Sequence, residues 1–169
     1  MDREQLLRTY VEDHYAGSSG GRALAQRIAG QNKDNEYGQY AAQLVKELDE
    51  ERVSLTAMLK RIGSEPPKVR TLAARGGELL GRLKPNGTWI SYSPLSRVIE
   101  LEGMIMGVTG KLMLWRSLLQ VVDGDERFDR AEIQRLEKMA EGQRSRLEDL
   151  HDRAAREALA AGAAIRSRP

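Results

Sequence analysis

The sequence contains no cysteine in its 169 residues, which excludes a disulfide framework and every metal site built on thiolates. Aromatics are scarce, with one phenylalanine and two tryptophans, so no aromatic platform alternates with the basic residues as single-strand nucleic-acid binding prefers. An excess of one charge is also missing. The 27 basic and 25 acidic side chains leave a formal charge of +2, which argues for a mixed, solvated surface and against nucleic acid as a partner. The most apolar stretch, Leu95 to Val122, holds Arg97, Glu100, Glu102, Lys111 and Arg116, so it is not an ordinary lipid-spanning helix and no membrane is expected. The opening run MDREQLLRTYVEDH lacks the apolar core of a signal peptide, and the expected location is cytoplasmic. Glycine-rich phosphate loops, a nucleophile elbow and a His-Glu-x-x-His run are absent, which points away from the common enzyme classes and leaves catalysis open.

What is present is helical periodicity. The five prolines, Pro66, Pro67, Pro85, Pro94 and Pro169, fall outside every segment with a 3.6-residue apolar period. They delimit helices expected over about 3–29, 36–62, 69–83, 94–123 and 130–162 within a single domain, 1–169. Asp2, Ser93 and Asp129 read as N-caps, with Gln5 and Glu132 placed for capping boxes and Phe128 for a staple on Ile133. Gly63 reads as a left-handed cap. The run Gly17-Ser18-Ser19-Gly20-Gly21 is compatible either with a continuous helix packed closely against a neighbour or with a break. The third main helix is apolar nearly all round, which predicts the most buried element, with Gly103, Gly107 and Gly110 admitting close neighbours.

Short links join the first helix to the second and the third to the fourth, while residues 64–94 form a long link containing an amphipathic piece, Val69 to Leu83. This spacing predicts an all-α fold, an antiparallel four-helix bundle of ferritin-like topology with a long, partly helical crossover between helices 2 and 3. Lys84-Pro85-Asn86-Gly87 reads as a turn, and Trp89 with Tyr92 as a cover for one end of the bundle in preference to a partner-binding patch.

The two histidines lie on or beside apolar stripes. If the first hairpin folds between Asn32 and Lys33, residues at equal height have numbers summing to about 65, which sets His14 opposite Glu51. In the second hairpin the sum is about 253, which sets Glu102 opposite His151, with Glu148 one turn before it. Carboxylates and imidazoles converging inside a crossover bundle suit iron or manganese. The candidate ligands are His14, Glu51, Glu102, Glu148 and His151; the usual pattern sets one Glu on each of two helices and a Glu-x-x-His on each of the others, and only one such pair, Glu148 with His151, is present, so half the motif is there. The preferred expectation is structural: a buried polar network of His14, Glu51, Glu102, Lys111 and His151 that fixes helix register without a cofactor, Lys111 pairing with Glu51 or another core acid or snorkelling its ammonium to the bundle edge. Acid–base catalysis by the same pairs is the third reading.

The blocks YVEDHYAGSSGGRALA, GRLKPNGTWISYSPLSRVIELEGMIMGVTGKLMLW and QRSRLEDLHDRAA resemble a family of small bacterial proteins common in actinobacteria. The resemblance covers nearly the whole chain and implies a ferritin-like helical fold, with no activity, substrate or cofactor attached to it. The expected function is therefore interaction or self-association, a homodimer included, by a non-catalytic bundle, with a degenerate iron or manganese protein of redox or oxygen chemistry as the alternative.

Overall fold

The computed structural model describes residues 2–66 and 92–164, with side chains to residue 160. Among the described residues there are four α-helices and no strand: α1 (Arg3–Gln31), α2 (Glu36–Arg61), α3 (Pro94–Leu119) and α4 (Arg130–Ala164). The amphipathic piece Val69 to Leu83, the turn at Lys84 and Trp89 lie outside the described residues.

Each helix start has a local cause. Asp2 accepts a hydrogen bond from the Gln5 backbone N–H, Asn35 from those of Tyr37 and Gly38, and Asp129 from that of Ala131. Ser93 and Ser96 form a reciprocal capping box in front of Pro94. Each pairing satisfies donors that the first helical turn would otherwise leave open. α1 runs without a break through Gly17–Gly21. The close neighbour expected there is not found: a Cβ on Gly17, Gly20 or Gly21 would meet nothing within 4 Å. α3 stops at Leu119, earlier than the Asp123-Gly124 signal suggests, and the chain then makes a single 3-10 turn, Val122–Gly124.

α1 packs on α2 and α3, and α4 packs on α3 and more sparsely on α2. Early α1 meets late α2, with the Glu12 carboxylate accepting from Ser64 and Arg22 pairing with Asp49 at 2.5 Å. Along α3 and α4 the pairs are Arg97–Glu157, Glu102–His151, Lys111–Gln143 and Arg116–Glu137, so residue numbers fall in α4 as they rise in α3.

Two glycines are required by geometry. Gly63 has φ +71°, the left-handed conformation that terminates α2. Gly38 lies so close to the turn before it that a Cβ would stand 1.9 Å from the Asn32 carbonyl oxygen.

Asn32 is the knot at this end of the bundle. Its side chain is buried, donating to the Ile28 carbonyl at 2.9 Å and the Tyr92 hydroxyl at 2.6 Å, and accepting from Arg97 Nε at 2.8 Å. Arg97 also lies over the Tyr37 ring and bonds Glu157. One amide thus ties the α1–α2 turn to the entry of α3 and, through Arg97, to α4. Asn32→Leu is expected to lower stability by about 1–3 kcal/mol, because the Ile28 carbonyl and the Tyr92 hydroxyl lose a donor and Arg97 Nε loses an acceptor; urea denaturation measures it, and a loss indistinguishable from zero would contradict the assignment.

Candidate functional site

The core is divided. One apolar cluster contains Leu55, Met58, Leu112, Trp115, Leu136 and Ala140; the other contains Leu44, Leu48, Met104, Val108, Leu147 and Leu150. Between them, each of three helices places a polar residue on its apolar stripe. Glu51 falls between Leu48 and Leu55 of α2, Lys111 between Val108 and Leu112 of α3, and Gln143 between Ala140 and Leu147 of α4.

These three side chains close a ring. Lys111 Nζ lies 2.5 Å from Glu51 Oε2 and donates to Gln143 Oε1 at 2.6 Å. Gln143 Nε2 donates to Glu51 Oε1 at 2.8 Å and to Glu47 Oε2 at 2.9 Å. Glu51 is 4% and Gln143 3% exposed. The Lys111 ammonium, both Glu51 oxygens and the Gln143 amide therefore each have a hydrogen-bond or ion-pair partner within the ring, as burial in a low-dielectric interior favours. Burial pushes the Lys111 ammonium below its ordinary range, against the opposing attraction of Glu51 and then Glu47. Tyr40 stands beside the ring, its hydroxyl donating to the Gln143 carbonyl at 3.2 Å, and burial raises its pKa, helped by the Glu47 charge. An open depression of about 440 Å³ outside this layer is lined in part by Tyr40, Glu47, Gln143 and Arg146, and its lining includes neither Lys111 nor Glu51.

The network expected from the sequence is thus redistributed. Lys111 and Glu51 meet, and Gln143, a residue of the α4 stripe without a charge, completes their ring. His14 is not opposite Glu51. At this height α2 turns Arg52 toward α1, where it bonds the Tyr15 carbonyl and the Ser18 and Ser19 hydroxyls; Glu51, one residue earlier, lies about 100° around the helix and faces α3 and α4. His14 is half-buried and meets the Tyr10 ring edge-on at 4.8 Å. Burial lowers its pKa, with the Asp13 charge opposing. His151 Nε2 stands 3.3 Å from Glu102 Oε1, but this pair is on the surface rather than in the core, with Glu102 more than half exposed. Glu148 is exposed and pairs with Arg144 on its own helix at 3.5 Å.

His14, Glu51, Glu102, Glu148 and His151 therefore occupy separate places and form no common ligand set. Among the described residues no group of three or more histidine, aspartate and glutamate side chains is placed to hold a metal ion. A second buried acid was not anticipated. Glu100 pairs with Arg27 at 2.6 Å and accepts from Tyr92 at 3.2 Å, and burial raises its pKa despite the nearby Arg27 charge. Its signal in the sequence was a charge inside the most apolar helix. Among the described residues no helix is long and apolar enough to cross a membrane.

No protein-family model, curated protein or solved structure matches the chain.

Two outcomes follow from the geometry. Lys111→Met removes one partner of a buried ion pair and is expected to cost about 3–5 kcal/mol, whereas Glu51→Leu, Lys111→Met and Gln143→Leu together are expected to leave stability unchanged or raise it by about 1–4 kcal/mol. Chemical denaturation of both variants checks the contrast, and a triple variant less stable than the single one would contradict it. His14 has the opposite handle. Its folded pKa is below the ordinary 6.5, so between those two values the unfolded chain binds more protons and stability falls as pH falls. His14→Gln is expected to show a smaller loss of melting temperature than the wild type between pH 7.5 and pH 5, and equal losses would contradict the burial of that imidazole.

Proposed function

We infer that the chain is a non-catalytic, cytoplasmic bundle of antiparallel, ferritin-like topology, allied to the actinobacterial family its sequence resembles, and that it acts by association with its own copies or with another protein. The observation that carries this reading is the closed ring of Glu51, Lys111 and Gln143. Each reactive group in it is already bound to another member, and the depression beside it is lined by neither the amine nor the buried acid. A catalytic amine or carboxylate needs a place for substrate within hydrogen-bond reach. The ring instead has the character of a structural layer, in which polar groups matched to one another fix the height at which helices meet.

Metal analysis tests the reading. Protein purified without chelator is expected to carry no stoichiometric iron, manganese or zinc and to show no rise in melting temperature when these ions are added, since an ion bound only by the native state would raise it. Stoichiometric metal, or a clear thermal shift, would overturn it.

A further inference from the structure

α3 has five charged residues, and all five are committed to the other helices. Arg97 pairs with Glu157, Glu100 with Arg27, Glu102 with His151, Lys111 with Glu51, and Arg116 with Glu137 and Glu141. The sequence predicts α3 to be the most buried element, yet it is buried on one side only. Leu95, Ile99, Met106 and Met113 are exposed, Met106 by 67%, and a Cβ added at Gly107 or Gly110 would meet nothing within 4 Å.

The exposed residues are ordered. Ile99, Met106 and Met113 recur every seven positions, the period that keeps an apolar seam on one side of a helix facing a partner helix. The seam is also self-complementary. Turned end for end about Met106, it places Ile99 on Met113 of a second copy and Met106 on itself, the relation a two-fold interface demands. Charge selects the direction. Two copies running the same way would set their Glu102 carboxylates level, whereas end-for-end pairing separates them by about 12 Å along the axis. The four large side chains expose on the order of 400 Å² per copy; with Thr109, Gly110 and Ser117 at their flanks, a pair reaches the roughly 1,000 Å² total that a specific interface needs.

We propose that α3 pairs end for end with α3 of a second copy across the Ile99–Met106–Met113 seam, forming a weak two-fold homodimer. The proposal rests on the reading of the chain as a bundle that acts by association, and names the partner.

Sedimentation equilibrium from about 1 to 500 µM, a range suited to a weak interface, should show a monomer–dimer equilibrium for the full chain. Met106→Glu, at a solvent-facing position, should raise the dissociation constant at least tenfold while leaving the circular dichroism and melting temperature unchanged. Because the chain has no cysteine, Met106→Cys supplies a single thiol that a short bis-maleimide should link into a covalent dimer; Val53→Cys, exposed on α2, should not be linked. A dimer untouched by Met106→Glu, with no cross-link at residue 106, overturns the seam and leaves association standing. A wild type that stays monomeric throughout, with no cross-link at residue 106 in the Met106→Cys variant, overturns the dimer. Stoichiometric metal in the same preparation would instead overturn the underlying reading.

Discussion

Glu51 is a carboxylate in the middle of an apolar interior, and the arrangement of three helices follows from the need to match it. An uncompensated charge there would be prohibitively costly, so α3 must deliver Lys111, and α4 must deliver Gln143, to the same height. Each of these residues interrupts an apolar stripe at one point. A slip of one turn along any of the three helices would set apolar side chains against the charge and a polar group against the apolar clusters. Apolar packing alone tolerates many near-equivalent alignments; the ring separates them.

The rest of the molecule is arranged around that height. α1 contributes its glycine and serine run there, and Ser18 and Ser19 take the Arg52 side chain. At one end, Asn32 gathers the first turn, Tyr92 and Arg97. At the other, Ser64 and the Ile62 carbonyl are held by Glu12 and Arg8 of α1. The chain leaving α2 is therefore anchored to α1, and the chain entering α3 to the turn that follows α1. The same economy of charge has a consequence on the outside: each ionic group of α3 is paired with a neighbouring helix, and the large apolar side chains left outward are Leu95, Ile99, Met106 and Met113.

Most helix starts, and the stop after α2, were legible because their causes are local; the stop of α3 at Leu119 was not. Asp2, Ser93 and Asp129 cap the helices they precede, and Gly63 takes the left-handed conformation after α2. Counting residues back from a turn gives the height at which Glu102 and His151 stand, but not the direction in which a side chain points. Glu51 and Arg52 share nearly the same height in α2 and face different helices, and that difference separates His14 from Glu51. Gln143 stood in the α4 stripe in plain view, without a charge to mark it as anything but a tolerated polar residue. Gly38 was invisible for another reason: its necessity comes from Asn32, across a turn whose path no local pattern specifies. An all-round apolar composition likewise concealed which side of α3 is outward.

The central claim is that Glu51 and Lys111 act as one unit. A double-mutant cycle with Glu51→Leu, Lys111→Met and the pair, read by chemical denaturation, tests it directly. Each single change strands a buried polar group, so the account predicts a coupling of about 2–3 kcal/mol, the double variant being far more stable than the two losses added together. Losses that add to within about 0.5 kcal/mol would mean that the two residues are independent, and would contradict the account.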